Sequence, residues 1–538
     1  MAKCWGLPPP SSLKYLENRL LVSRQNYGMK GIQRRDECDF YHSPPLPAVP
    51  LYQRHTACET MANQEHSPMR AASFPLLPLF CLALFSCLFG ALPAAAQPNV
   101  TGSSLEFTVH RLGPEGGPTL LVIGGIQGDE PGGFSAASLL VTGYTITKGQ
   151  VWVVPNLNFP SIIERSRGRA GDMNRKFAHI EEKDPDYRTV KRIQEIILDP
   201  AVDLVLNLHD GSGFYRPTHI NAIMNPKRWG QCVIIDQQAM NAPAFGNLAE
   251  MAQTAADEAN KRLLHADHRY HLRNTKTSEG DKEMEKSLSY FAVRNGKPAF
   301  GVEASKNFTT EFRGYYHLAI LESFMTQMGI AFERHFPHTP KGVQYAINNG
   351  MGLSLCGNRV ILPLDNIRPT LSYVPLRKNA ALEPAGTSPL LAVVDDGKGR
   401  WKVAYGNRVL TRLSPEYLDF DESLKELDMV VDGKTVTVAL GSTVTASASF
   451  MVKGRPGYRV NAIGARKEKK DGSECDVVLR RNDFTPRFSV DKNGALYRVE
   501  VYKGKAFAGM ILVRFGAPAP SARETMTAVK GPESSLGF

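Results

Sequence analysis

Three apolar runs in this 538-residue chain end on side chains that can bind a metal ion or move a proton. In the first, Leu120–Gly124 passes through Gly125 and Ile126 to Gln127, with Glu130 three residues on and Pro131 behind it. Two side chains at this spacing where a helix begins can face one point. Taken alone the pair reads more simply as a helix-start cap, with Glu130 answering the macrodipole. In the second, Asp203–Leu208 runs into His209 and Asp210. A neutral imidazole can give one nitrogen to a metal while an acceptor orients the other, or it can be a hydrogen-bonded histidine at a sheet edge. In the third, Pro298–Val302 ends on Glu303. Beside a cation that carboxylate can take a proton from water and return it to a leaving amine; alone it serves as a helix cap or an ion-pair partner.

Between the first two runs lies an arginine-rich stretch with Arg165, Arg167 and Arg169, followed by Asn174-Arg175. Several arginines on a loop make a solvated basic surface. The Asn-Arg pair also supplies a neutral donor and a bidentate fork suited to a carboxylate.

These residues need a scaffold that brings strand ends together. From about residue 100 to 335 short apolar strands (Thr119–Gly124, Val151–Pro155, Val202–Leu208, Ala299–Val302) alternate with helical patterns (Asp186–Leu198, Asn247–Leu264, Tyr316–Phe332). That alternation predicts an α/β domain, a mixed or parallel sheet flanked by helices with reactive groups at strand ends. After about residue 340 helical periodicity gives way to β-rich runs separated by Gly, Asp, Asn and Pro, such as Trp401–Ala404 and Leu496–Tyr502. These predict two all-β, antiparallel sandwich or barrel-like domains. The expected divisions are a catalytic domain at 97–340, a β-rich domain at 341–426, an Ig-like β domain at 427–516 and a loose tail at 517–538.

Residues 69–96 carry one positive charge, an apolar run and then Ala94-Ala95-Ala96, the layout of a secretory signal cleaved before Gln97. The run approaches the ~20 residues of a membrane anchor, but Pro75, Pro78 and the small residues at its end favour cleavage, so no stable membrane insertion is expected afterwards. Residues 1–68, rich in Pro, Arg and polar residues, read as a non-native extension, with initiation expected at Met61 or Met69. Only Cys232, Cys356 and Cys475 follow Gln97, too few and too scattered for a disulfide framework or a metal cluster. The formal net charge is +11; nine Lys/Arg against six Asp/Glu lie before Gln97, which leaves about +8 for the rest. An exported basic protein is expected to meet an anionic wall polymer or lipid surface rather than nucleic acid.

Taken in order, these segments resemble the zinc carboxypeptidase superfamily, including its deacylase branch of succinylglutamate desuccinylase and aspartoacylase type. The family's His-x-x-Glu pair and later strand-end His bind zinc, an Asn-Arg pair holds the substrate's terminal carboxylate, an upstream Arg polarises the carbonyl and a late Glu is the base. Glu130, His209, Asn174, Arg175 and Glu303 match residue by residue. Arg167 is taken as the polarising arginine, with Arg165 and Arg169 as competitors. Gln127 stands where the superfamily has His, and this resembles the Gln-Glu-His subgroup of cell-shape-determining peptidoglycan carboxypeptidases, which also carry two β-rich domains. The resemblance implies one Zn2+ held by Gln127, Glu130 and His209. The replacement leaves the ligand charge unchanged, and because amide oxygen is a poorer zinc donor than imidazole nitrogen it implies weaker binding or a harder cation.

The expected function is an exported, periplasmic zinc carboxypeptidase acting on peptidoglycan stem peptides, converting a muropeptide tripeptide to a dipeptide with release of meso-diaminopimelate and so affecting cell shape. The β domains leave room for cell-wall or shape-complex partners, and Lys453–Lys470 reads as a polyanion-binding edge or a solvated hairpin. The alternatives are a small-molecule deacylase and a catalytically inactive wall-binding protein.

Overall fold

The computed structural model describes residues 101–467 and 472–516. The expected signal segment, the extension before it, the tail and residues 468–470 of the Lys453–Lys470 stretch lie outside the described residues. Among the described residues no helix is long and apolar enough to cross a membrane, and Cys232, Cys356 and Cys475 are free.

The first domain is built on a seven-stranded mixed sheet. Its strands in chain order are β1 (His110–Leu112), β2 (Thr119–Ile123), β3 (Gln150–Val154), β4 (Leu204–Gly211), β5 (Cys232–Ile235), β6 (His271–Asn274) and β7 (Ala299–Ser305), and they lie in the order β1-β3-β2-β4-β7-β5-β6. β3, β2, β4 and β7 run parallel to one another, while β1 and β5 pair antiparallel with β3 and β7. β2 and β4 are buried along their whole length, as strands covered on both faces must be.

Seven helices follow in chain order: α1 (Pro131–Gly143), α2 (Phe159–Glu164), α3 (Tyr187–Leu198), α4 (Leu248–Asn260), α5 (Leu288–Arg294), α6 (Thr310–Gln327) and α7 (Pro340–Asn348). Alternation along each strand sorts them into two layers. Leu120, Val122, Leu204, Leu206 and Val302 pack with α1, α4 and α6, whereas Leu121, Ile123, Val205 and Ala299 pack with α3 and α5. Covering both faces leaves the strand ends as the place where polar groups of several strands can meet.

The helix expected over Tyr316–Phe332 instead starts at Thr310 and ends at Gln327. Gly329, at φ +73°, turns the chain, and Ala331–Arg334 then pairs with Tyr144–Lys148. Helical structure also runs past residue 340: Pro340 occupies the first turn, Thr339 caps it by accepting from the Gly342 amide, and α7 packs on α6 and α1.

Both later modules are β-rich as expected. The middle one has a three-stranded sheet (Val360–Pro363, Gly352–Leu355, Ala385–Gly386) and a four-stranded sheet (Thr370–Arg377, Arg408–Leu418, Trp401–Tyr405, Leu391–Asp395). The C-terminal one is two four-stranded sheets around a core that includes Met429, Phe450, Phe484, Tyr497 and Ile511; Leu424 already enters that core. The pairing is not uniformly antiparallel. Thr370–Arg377 runs parallel to Arg408–Leu418, and Thr443–Ala446 parallel to Ala506–Phe515, because each joins its sheet by a crossover rather than a hairpin.

Candidate active site

The loop after β2 carries Gln127 and Glu130 back over the sheet, and glycine makes that path possible. Gly125 sits at φ +75°, and a Cβ on Gly128 would lie 2.1 Å from the backbone of Ser161. His209 projects from the end of β4 beside this loop, and Glu303 from the end of β7, where it is the register partner of His209. Asn174 and Arg175 arrive on a short 3-10 turn, Met173–Arg175, which Asp172 caps by accepting from the Asn174 N–H at 3.0 Å.

All seven residues expected at the site line one cavity of about 230 Å³, together with Asp210, Ser212, Trp229, Met284, Ser289 and Lys306. Of the three competing arginines only Arg167 lines it. Arg165 turns away to hydrogen-bond the Asn407 carbonyl in the middle module, and Arg169 pairs with Glu164 at 3.1 Å.

His209 Nδ1 lies 3.0 Å from both Gln127 Oε1 and Glu130 Oε2. The carboxamide is held in that sense because its Nε2 donates to Asp172 Oδ1 at 2.8 Å, which leaves the oxygen facing the imidazole. Glu130 Oε1 meets Arg167 Nη1 and Lys306 Nζ, each at 3.3 Å, and its Oε2 also accepts from the backbone N–H of Asp210 at 3.0 Å. The Asp210 carboxylate in turn accepts from the Gly132 amide at 2.8 Å and from Arg313 at 3.0 Å, so it clamps the Gln127–Glu130 loop onto β4.

Among the described residues no three His, Cys, Asp or Glu side chains cluster as a metal-binding group. Here two such side chains are completed by a carboxamide oxygen. One imidazole nitrogen, one carboxylate oxygen and one amide oxygen, closely spaced and oriented by outer partners, fit a divalent metal with a further position open.

The electrostatics are those of a pocket lined by buried, charged side chains. Burial pushes the Glu303 carboxyl up to about 8, with Glu130 and Asp210 adding and His209 and Lys306 opposing; its Oε2 is buried without a hydrogen-bond partner. Burial lowers His209, but the hydrogen bond and charge of Glu130 outweigh it and raise the imidazole above its ordinary value. Asp172 is raised by burial and lowered more by Gln127, Arg167 and Arg175, so it stays ionised.

The family model for the catalytic domain of carboxypeptidases controlling helical cell shape matches residues 109–348, and the model for the C-terminal domain of metallo-carboxypeptidases matches residues 420–516. The crystal structure of the apo cell shape determinant protein Csd4 from Helicobacter pylori is 40% identical, covering 76% of this chain and 100% of that one, with a TM-score of 0.72. This chain belongs to that carboxypeptidase family. The mDAP-bound form of the Helicobacter pylori protein, a D,L-carboxypeptidase, matches with the same identity, coverage and TM-score, and its tripeptide-bound form matches with a TM-score of 0.71. A curated relative, the N-alpha-acetyl-L-2,4-diaminobutyric acid deacetylase of Halomonas elongata, is 34% identical over 132 residues, which is 23% of this chain and 37% of that protein. The chain therefore spans little more than a third of the length of that relative. Family membership makes the chain a metallocarboxypeptidase.

Three residues in or beside the pocket escape a reading of motifs. Asp172 orients Gln127, Asp210 fastens the loop, and Lys306 pairs with Asp129 at 2.9 Å as well as with Glu130. The signal for each was adjacency: Asp172 lies two residues before Asn174, Asp210 follows His209, and Lys306 directly follows the last residue of β7.

Proposed function

We propose that the chain is a zinc-dependent D,L-carboxypeptidase that removes the last residue of peptidoglycan stem peptides in the periplasm, releasing meso-diaminopimelate from a tripeptide and so affecting cell shape. The observation that carries this is the convergence of Gln127 Oε1 and Glu130 Oε2 on His209 Nδ1 beside the buried Glu303, whose Oε2 has no hydrogen-bond partner. The tripeptide- and mDAP-bound forms of the Helicobacter pylori relative support the substrate class.

Gln127, Glu130 and His209 hold the metal. When bound, zinc supplies a Lewis acid that polarises the scissile carbonyl and acidifies water. Glu303 takes the proton of the attacking water and hands it to the leaving amine, a role suited to a carboxylate that lines the same cavity as the three ligands and has a buried Oε2 without a hydrogen-bond partner. Arg167 points its guanidinium at the metal-binding carboxylate and supplies positive charge where the carbonyl oxygen becomes an oxyanion. Arg175, ion-paired with the exposed Glu283 at 3.5 Å, and Asn174 hold the terminal carboxylate of the substrate. A purely wall-binding protein has no use for a buried base beside a metal site.

The test is incubation of the zinc-loaded protein with a muropeptide tripeptide, followed by mass spectrometry. The expected products are the dipeptide and free meso-diaminopimelate, and an intact tripeptide ends this reading.

A further inference from the structure

A larger cavity, about 690 Å³, opens between the two β modules and shares no lining residue with the catalytic pocket. Two edge strands flank it: Thr370–Arg377 of the middle module and Tyr458–Ala462 of the C-terminal sandwich. Arg498 fastens one module to the other. Its guanidinium, 5% exposed, donates to the carbonyls of Tyr373 at 3.1 Å and Ser372 at 2.9 Å, and it lies 3.4 Å from Glu500. Arg368 reaches in the opposite direction, to the carbonyls of Pro486 and Ser489.

The pull on Ser372 and Tyr373 coincides with a register break between Leu371 and Val374 and puts Tyr373 at φ +53°, a left-handed conformation uphill for a non-glycine residue. Its consequence is a tyrosine side chain 71% exposed on the wall of the groove. Phe488, 42% exposed, lines the same groove with the Arg487 guanidinium 4.8 Å from its ring centre, and Arg459 lies 4.2 Å over Tyr502. Arg459, Arg487 and Lys505 are exposed cations on this surface, against one exposed carboxylate, Glu416.

We propose that this groove binds a peptidoglycan strand, with sugar rings against Tyr373 and Phe488 and stem-peptide carboxylates on Arg459, Arg487 and Lys505, and so holds the polymer while the catalytic site trims it. This rests on the catalytic reading above. Guanidinium forks match carboxylates, and exposed ring faces suit a ligand with flat apolar surfaces and a polar periphery. A polypeptide added as an extra strand is a poorer occupant, because the carbonyls of Ser372 and Tyr373 are spent on Arg498 and the bulge breaks the ladder a new strand would extend. Two sites on one chain raise the effective concentration of stem peptides at the catalytic pocket without any new catalytic contact.

The test measures binding of the zinc-loaded protein to intact peptidoglycan strands, to strands stripped of their peptides and to free stem peptides, for the wild type and for Arg459→Gln with Arg487→Gln. Both substituted side chains are exposed, and an unchanged melting temperature confirms folding. Intact strands should bind at least tenfold more tightly than either part, and the double variant should lose at least tenfold in strand affinity and in turnover of intact peptidoglycan. Its turnover of a soluble tripeptide should stay within twofold. Unchanged strand binding in the variant overturns the proposal, and so does an acidic polypeptide that competes as well as the strand. Wild-type protein that holds strands but leaves the soluble tripeptide intact overturns the catalytic reading instead and leaves the groove standing.

Discussion

Glu303 and His209 are register partners on the adjacent parallel strands β7 and β4, so both side chains stand on the same face of the sheet at the edge of one cavity. Parallel pairing fixes this relationship through backbone hydrogen bonds rather than through a loop, which keeps the proposed base at a constant offset from the proposed metal ligand.

That offset separates the two roles by mutation. Glu303→Gln preserves shape and removes basicity, so zinc content should be unchanged while turnover of the tripeptide falls by ~10²–10⁴. Metal analysis and product analysis on one preparation check both halves. A variant that loses its zinc would make Glu303 a ligand.

The carboxylate grip proposed for Asn174 and Arg175 gives a second prediction. Arg175 is partly exposed; among the described residues its guanidinium donates to the Asn174 carbonyl at 3.0 Å and pairs at 3.5 Å with the exposed Glu283, a surface contact that a substrate carboxylate can replace. Amidating the substrate's C-terminus should lower kcat/KM by the ~1.5–3 kcal/mol of a lost charged hydrogen bond, roughly tenfold to a hundredfold. Equal turnover of acid and amide would rule out an exopeptidase.

How much of this was legible in the sequence follows from the physics of each element. β2, β4 and β7 are apolar runs that end on polar residues, so the strand ends of a covered sheet could be read as the place where Gln127, Glu130, His209 and Glu303 gather, while the roles expected of them came from the family resemblance. Arg167 was distinguishable from Arg165 and Arg169 only in three dimensions, since a loop has no period that fixes which side chain faces inward. The parallel pairing of Thr370–Arg377 with Arg408–Leu418 was equally hidden, because partner choice between strands is set by tertiary packing rather than by local pattern. The boundary helix α7 is only nine residues long, too short for its periodicity to stand out.

Acid stability should depend on Glu322 in α6, far from the catalytic groups in sequence. Burial pushes this carboxyl up, but His338, Arg334 and Tyr144 outweigh it and bring it down to about 2. A depressed folded value means that the stabilisation is present above the ordinary carboxylate range, near pH 4.5, and is lost as pH falls towards 2. At neutral pH the effect is on the order of 3 kcal/mol at most. The difference in unfolding free energy between wild type and Glu322→Gln, measured by urea titration, should shrink between pH 6 and pH 3. A difference that stays constant over that interval would show that the ion cluster does not persist in solution.

The last prediction concerns Asp172, which holds the Gln127 amide nitrogen and so decides which of its two ends faces His209. A carboxamide has one atom that binds metal and one that repels it, and the two ends are nearly the same size. Asp172→Ala should let the amide turn over, lowering zinc affinity by ~10–100-fold, the usual effect of removing a group that orients a ligand. Asp172 also caps the turn that carries Asn174 and pairs with Arg167 at 2.9 Å, so loss of affinity alone does not isolate the orienting role. Adding Gln127→His to the Asp172→Ala protein does isolate it. An imidazole offers a metal-binding nitrogen in either ring orientation and is the stronger donor, so the double variant should recover most of the lost zinc affinity in chelator competition. Recovery of zinc without full recovery of turnover would mark the separate contribution of Asp172 to Asn174 and Arg167. A double variant that is folded but binds zinc no better than Asp172→Ala would show that Asp172 acts on the site by some route other than the orientation of Gln127.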